Sequence, residues 1–84
     1  MEIMEPELEL ILYTRPECHL CDVVAEMMRT AGIAWRAVDI ETDPELEKEY
    51  GMRIPVLLLP DTGRELAFPF DEDGLRAFLR EQQP

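Results

Sequence analysis

Two kinds of hydrophobic spacing alternate in the first half of the chain. Apolar residues recur at alternate positions in residues 7–14 and again in residues 34–40, which is the spacing of β-strands. The first of these strands has one apolar face and one mixed face. Between these two strands, apolar residues three and four positions apart predict a helix that begins at or beside Cys18 and ends before a left-handed Gly32. The apolar positions of this helix are Leu20, Val23, Val24, Met27, Met28 and Ala31.

The second half predicts a short helix followed by a hairpin. Asp43 and Pro44 are the residue types favoured at the N-cap and first position of a helix, which we expect to end near Tyr50. The apolar run in residues 55–59 predicts a buried strand. A tight turn then leads to a last strand over residues 64–68, so these two strands form an antiparallel pair.

A final helix completes the predicted α/β fold. Asp71 is its expected cap, residues 82–84 form a frayed tail, and the inward-facing positions are Leu75, Phe78 and Leu79. The element order is β-α-β-α-β-β-α, and the first β-α-β unit must be a parallel, right-handed crossover. These elements predict a four-stranded mixed sheet flanked by three helices.

Composition and charge narrow the class of protein. With 84 residues, 46% of them hydrophobic, residues 1–84 make one globular domain and no more. The net charge of −11 argues against nucleic acid or an anionic membrane as partner. No apolar run approaches the ~20 residues of a membrane span, and the N-terminus lacks the features of a signal peptide. We expect a cytoplasmic monomer.

The only two cysteines, Cys18 and Cys21, are separated by two residues. In a cytosolic chain this spacing indicates redox chemistry or half of a metal site. A zinc site needs four ligands, and here the only histidine, His19, lies between the cysteines. A pair of small core residues is the other alternative, which fits Cys21 better than Cys18. Redox chemistry without a metal is therefore the favoured interpretation.

The predicted helix start assigns different roles to the two cysteines. Free N–H groups at a helix N-terminus stabilise a thiolate, so Cys18 is the candidate nucleophile. Protonated His19 and Arg15 would add to this effect, whereas the adjacent Glu17 opposes it. His19 has the alternative of being only a polar residue in the first helical turn. Cys21, one turn into the helix, is expected to be more buried and to act as the resolving thiol.

These residues resemble the glutaredoxin and thioredoxin superfamily, and most of all its short members with a Cys-x-Leu-Cys motif. The resemblance covers the whole chain in element order and implies a thioredoxin-like fold. Residues 50–59 resemble the family segment that contains a cis-proline. It implies that Pro55 is cis and packs against the cysteine pair, and that Arg53 and Ile54 next to it bind substrate. A trans proline that opens an edge strand is the alternative for Pro55.

The resemblance also bears on glutathione, which the glutathione-using glutaredoxins bind. A basic residue at the position of Arg15 holds a glutathione carboxylate in relatives, and an exposed loop charge is the alternative for Arg15. Relatives usually carry a Gly-Gly pair before the last helix. This chain instead has Asp71, Glu72 and Asp73, which satisfy the helix's own donors and repel an anion. The sequence therefore predicts weak use of glutathione.

Two functions of different classes follow. The first is a thiol-disulfide oxidoreductase, without a bound cofactor or metal, that reduces protein or mixed disulfides through Cys18 and Cys21. Its dithiol would be regenerated by a thiol reductant, either glutathione or a reductase of the thioredoxin reductase type. The alternative is a non-enzymatic scaffold in which two chains pool their cysteines to hold an iron–sulfur cluster or a metal.

Overall fold

A computed structural model of the protein describes residues 10–80 and contains the predicted elements in the predicted order. Residues 7–9 of the first expected strand and the expected tail at residues 82–84 lie outside the described residues. The elements are β1 (Ile11–Thr14), α1 (His19–Thr30), β2 (Arg36–Asp39), a 3₁₀ turn (Ile40–Thr42), α2 (Pro44–Tyr50), β3 (Val56–Leu59), β4 (Arg64–Ala67) and α3 (Glu72–Arg80). The 3₁₀ turn was not expected from the sequence.

The four strands form one mixed sheet in the order β2-β1-β3-β4. The pairing of β1 with β2 is parallel, and the pairings of β1 with β3 and of β3 with β4 are antiparallel. Tyr13 lies opposite Val56, and Val56 lies opposite Ala67. The last residues of β1, β2 and β4 and the first of β3 therefore share one end of the sheet, which we call the cysteine end because β1 leads from it to Cys18.

Helices cover both faces of the sheet. One core cluster joins the sheet to α1 and α3 through Leu10, Leu12, Val24, Met28, Leu57, Leu59, Leu75 and Phe78. The other joins it to α2 and the 3₁₀ turn through Ile11, Tyr13, Ile40, Tyr50 and Val56. The described residues of the second face of β1, Ile11 and Tyr13, are thus buried, and the residues that make this face mixed in the prediction lie outside the described residues.

Helix α1 buries a narrower face than its apolar pattern predicts. Cys21, Val24 and Met28 are buried, at a spacing of three and four residues. Leu20 and Val23, expected on the buried side, are 44% and 38% exposed. These two members of the predicted apolar stripe therefore lie outside the part of the helix that is buried.

The predicted helix ends and starts are confirmed. Gly32 has a φ of +74°, in the left-handed region that favours glycine. The Asp43 carboxylate accepts the Glu45 N–H at 2.9 Å, and the Asp71 carboxylate accepts the Gly74 N–H at 2.8 Å.

In residues 10–80 no helix is long and apolar enough to cross a membrane.

The strands are shorter than predicted at their ends. β2 ends at Asp39 because its carboxylate accepts the Glu41 N–H at 2.9 Å and starts the 3₁₀ turn. Trp35, expected on this strand, precedes it and packs at the margin of the core, with the Arg29 guanidinium 5.7 Å from its ring. β3 begins one residue after Pro55, which has no N–H for a ladder.

Candidate active site

The turn after β1 places Cys18 at the start of a helix. Cys18 is the N-cap of α1, and its Sγ accepts the Cys21 N–H at 3.1 Å. Its carbonyl accepts the Asp22 N–H at 3.1 Å. Glu17, just before it, has a φ of +62°, which is uncommon for a residue with a side chain. The Cys18 sulfur therefore takes the place of the oxygen that normally caps a helix, at the positive end of the helix dipole.

The two cysteines are joined by a disulfide in this structure. Cys18 is half-buried, whereas Cys21 is only 3% exposed. The expected difference in exposure between them is confirmed. A reactant that approaches from solvent therefore reaches the Cys18 sulfur before the Cys21 sulfur.

Pro55 lies beside this turn. Val56 pairs with Tyr13, so Pro55 falls next to Thr14 at the cysteine end. The Ile54–Pro55 bond is cis, as the resemblance implied, and Pro55 is buried. The Phe68–Pro69 bond is also cis, which the sequence analysis did not predict. The Pro55 carbonyl accepts the Phe68 N–H at 3.1 Å, so the approach to α3 is held at the same end of the sheet.

The backbone before Pro55 is already hydrogen-bonded. The N–H groups of Arg53 and Ile54 both donate to the Tyr50 carbonyl, at 2.8 and 3.1 Å. A substrate segment that pairs with these residues would therefore meet carbonyl oxygens rather than free N–H groups. The substrate-binding role of Arg53, Ile54 and Pro55 stays a prediction.

Arg15 ties the cysteine turn to the region around α2. Its guanidinium donates to the Glu47 carboxylate at 3.0 Å and to the Gly51 carbonyl at 3.2 Å, and it pairs with the Glu41 carboxylate at 3.5 Å. A Cβ on Gly51 would lie 2.5 Å from the Glu47 carbonyl, so only glycine fits this close approach. The binding of an external carboxylate by Arg15 stays a prediction, and two carboxylates of the chain itself already occupy it.

His19 is the first residue of α1 and is exposed. Its position beside Cys18 is as expected, and its stabilisation of a Cys18 thiolate stays a prediction. Among the described residues, no group of three or more His, Cys, Asp or Glu side chains is arranged to hold a metal ion.

A hydrogen-bonded network around Tyr50 was not expected from the sequence. The Tyr50 hydroxyl donates to one Glu65 oxygen at 2.5 Å, and Arg53 donates to the other at 2.6 Å. Arg53 also pairs with Glu49 at 3.3 Å, and its guanidinium lies 5.1 Å from the centre of the Tyr50 ring. Tyr13 stacks on Tyr50, with 4.3 Å between the ring centres. The network thereby attaches the segment before Pro55 to β1 and β4. No local signal predicts it, since its partners are separated by 12 and 15 residues.

The network shifts the ionisation of its members. Burial, and then the hydrogen bond to Glu65, raise the pKa of Tyr50. The hydrogen bond from Tyr50, together with that from Arg53, holds the pKa of Glu65 below its ordinary 4.5. The same carboxylate raises the pKa of Arg53. Tyr50 is thus neutral and Glu65 charged at neutral pH.

We expect Glu65→Gln to destabilise the fold at neutral pH, and we expect this difference in stability from the wild type to disappear in acid. Because the folded pKa of Glu65 is lowered, its stabilisation is complete above 4.5 and is lost as the pH falls through the folded value. The loss at neutral pH is about 1 kcal/mol, since the site is partly open to solvent. Urea unfolding of both proteins at neutral pH and well below 4.5 measures the difference.

Glu26→Gln is the matched control for this variant. Glu26 is paired with Arg29 in an ion pair whose side chains are both mostly exposed, so the same charge is removed at little cost. A Glu65→Gln penalty that stays constant with pH, or equals that of Glu26→Gln, would contradict the prediction.

The sheet order and the position of the cysteine pair define a thioredoxin-like fold. The crystal structure of the thioredoxin-like protein BC3987 is similar to this chain, with a TM-score of 0.61 and 20% identity over 81% of this chain and 96% of that one. A thioredoxin from Thermosipho africanus shares the fold at 12% identity, with a TM-score of 0.53 over 87% of this chain and 96% of its own.

The match to a protein family classifies the chain more narrowly than its fold does. The model of the glutaredoxin-like domain (DUF836) matches residues 9–80, and the chain belongs to this family. The crystal structure of XcR50 from X. campestris is 47% identical, with a TM-score of 0.81 over 88% of this chain and 99% of that one. The solution structure of Ne2328 from Nitrosomonas europaea is 25% identical, with a TM-score of 0.74 over 93% of this chain and 98% of that one. No curated protein matches the chain. Together with Cys18 and Cys21, the family supports a redox-type function.

Proposed function

We propose that the protein is a thiol-disulfide oxidoreductase that reduces protein or mixed disulfides. The observation that carries the proposal is the Cys18 sulfur at the N-terminus of α1, bonded to Cys21 and accepting the Cys21 N–H at 3.1 Å. The same N–H and the helix dipole would stabilise the thiolate that forms when this disulfide is reduced. A thiolate that is both stabilised and reachable from solvent is the group that thiol-disulfide exchange requires.

The reaction proceeds in two exchange steps. The Cys18 thiolate attacks one sulfur of the substrate disulfide, so that a mixed disulfide forms and the other substrate sulfur leaves as a thiolate. Cys21 loses its proton and its thiolate attacks the Cys18 sulfur, which releases the second substrate thiolate. Two electrons pass to the substrate, and the Cys18–Cys21 disulfide seen in the structure is the oxidised product.

A thiol reductant, either glutathione or a reductase of the thioredoxin reductase type, would return the protein to its dithiol form. Glutathione is the weaker candidate of the two. Arg15 is engaged by Glu47 and Glu41, and the chain that leaves β4 at the cysteine end enters α3 through three carboxylates, Asp71, Glu72 and Asp73. The Asp71 carboxylate already accepts the Gly74 N–H, so one donor that could bind an anion there is occupied.

Stoichiometric reduction of a neutral disulfide tests the proposal. Reduced protein, freed of reductant, is mixed with bis(2-hydroxyethyl) disulfide, and the released thiol and the mass of the protein are followed with time. We expect each chain to reduce one disulfide and to lose the mass of two hydrogens. The variant with both cysteines replaced by serine is the control. Thiol release no faster than with that variant would contradict the function.

A further inference from the structure

Acidic residues flank Cys18 in the sequence and follow the strands that reach the cysteine end of the sheet. Glu17 precedes Cys18 directly, and Asp22 lies in the first turn of α1. The register of β1 with β2 brings the 3₁₀ turn with Glu41 to the cysteine end, where Glu41 contacts Arg15. The register of β3 with β4 places the end of β4 at this end as well, and from there the chain leads to the start of α3 with Asp71 and Asp73. A reactant that approaches Cys18 therefore passes a surface that carries mostly negative charge.

The two arginines of this region, Arg15 and Arg53, are offset by carboxylates of the chain. Arg15 contacts Glu47 at 3.0 Å and Glu41 at 3.5 Å, so one guanidinium faces two carboxylates. Arg53 is engaged in the same way, with Glu65 at 2.6 Å and Glu49 at 3.3 Å. Each pair of carboxylates exceeds the charge of its arginine. These arginines therefore leave the potential near the site negative rather than reversing it.

This field changes the encounter rate according to the charge of the reactant, whereas its effect on the Cys18 thiolate is the same for every disulfide. A negative potential around a reactive group attracts cationic reactants and repels anionic ones, and the effect falls as salt shortens the Debye length. The attacking Cys18 thiolate adds one more negative charge. A disulfide whose flanking groups are cationic is the reactant that such a site meets most often in the correct orientation.

We propose that the Cys18 site selects disulfides flanked by cationic groups, such as cystines bordered by lysine or arginine in a partner protein. This selectivity rests on the proposed function and names its substrate class. The bonds broken and formed are those of the two exchange steps above, with the reduced protein as the two-electron donor. Neither the order of attack nor the role of Cys21 changes with the charge of the substrate.

Three small disulfides of different charge test the selectivity. Reduced protein reacts with cystamine, which carries two ammonium groups, with neutral bis(2-hydroxyethyl) disulfide, and with 3,3′-dithiodipropionate, which carries two carboxylates. Each second-order rate constant is divided by that of dithiothreitol with the same disulfide, which removes differences in intrinsic reactivity. We expect cystamine to exceed the dicarboxylate by about ten-fold at ~0.01 M salt. This ratio should fall towards unity at ~1 M salt, where the Debye length is only ~3 Å.

A pair of charge variants locates the effect. Glu47→Gln removes one of several carboxylates near the site, so the ratio of cystamine to dicarboxylate should fall by only about 1.5- to 2-fold at low salt. Asp61→Asn is the matched control, since it removes the same charge from an exposed turn. Leu59, just before that turn, pairs with Arg64, and Leu58 pairs with Ile11 at the start of β1, so Asp61 lies at the end of the sheet away from Cys18.

The outcomes separate the selectivity from the function. A dicarboxylate that reacts as fast as cystamine at low salt would overturn the selectivity while leaving the function intact. An unchanged ratio in Glu47→Gln, or an equal fall in Asp61→Asn, would overturn the local origin of the field. If none of the three disulfides reacts faster than with the variant that lacks both cysteines, the proposed function fails and the selectivity with it.

Discussion

Replacing Cys18 by serine is expected to abolish disulfide reduction, whereas replacing Cys21 is expected to stop the reaction halfway. Cys18 is the more accessible of the two sulfurs and lies at the helix N-terminus, and without it no mixed disulfide forms. Cys21→Ser keeps the first attack but lacks the internal thiol that releases the substrate. Its product with a disulfide-containing protein is therefore a stable mixed disulfide at Cys18.

Non-reducing electrophoresis and intact mass measure both outcomes. Cys18→Ser should give the thiol release of the variant that lacks both cysteines, and Cys21→Ser should accumulate one substrate per chain. Circular dichroism of both variants is the control that they are folded. Full turnover by Cys21→Ser on a protein disulfide would mean that an outside thiol resolves the intermediate, and turnover by Cys18→Ser would reverse the assignment of the two cysteines.

Among the proposed substitutions, Leu57→Ala is expected to lower the free energy of unfolding most. Leu57 is fully buried in β3, between Leu12 of β1 and Leu66 of β4, and it belongs to the core shared with α1 and α3. Truncation of such a leucine costs about 2–5 kcal/mol, because apolar burial is lost and a cavity remains. A domain of this size has only about 5–15 kcal/mol in total, so the variant is expected to be partly unfolded at 37 °C.

Urea unfolding followed by circular dichroism measures this change. Leu20→Ala is the matched control, since Leu20 is 44% exposed, and its cost should stay within about 0.5 kcal/mol. Similar losses from the two variants would contradict the placement of the core. A Leu57→Ala protein too unstable for the titration is compared by thermal melting instead, where its midpoint should lie well below that of Leu20→Ala.

Local sequence signals predict most of the fold. The caps Asp43 and Asp71 and the left-handed Gly32 act within a few residues, so their effect is visible in the sequence itself. The start of α1 at Cys18 is of the same kind, and it places the candidate nucleophile correctly at a helix N-terminus. The order of exposure of the two cysteines follows from that start.

The remaining features depend on contacts between distant parts of the chain. Arg15 meets Glu47 and Gly51 at separations of 32 and 36 residues, so its engagement follows only from the packing of α2 against the cysteine end. The apolar pattern of α1 likewise cannot show how wide a strip the sheet covers, which is why Leu20 and Val23 are exposed. Sequence thus predicts where Cys18 lies, and only the fold shows which charges surround it.

Competitive alkylation tests the central claim, that Cys18 is the nucleophile and Cys21 the resolving thiol, most directly. Reduced wild-type protein receives a brief, limiting dose of iodoacetamide at neutral pH, is unfolded, and has its remaining thiols labelled with isotopically heavy reagent. Mass spectrometry of the peptide that contains both cysteines then gives the order of labelling. We predict that Cys18 is labelled first in the folded protein, and that the two react equally in urea. Preferential labelling of Cys21 in the folded protein would contradict the account.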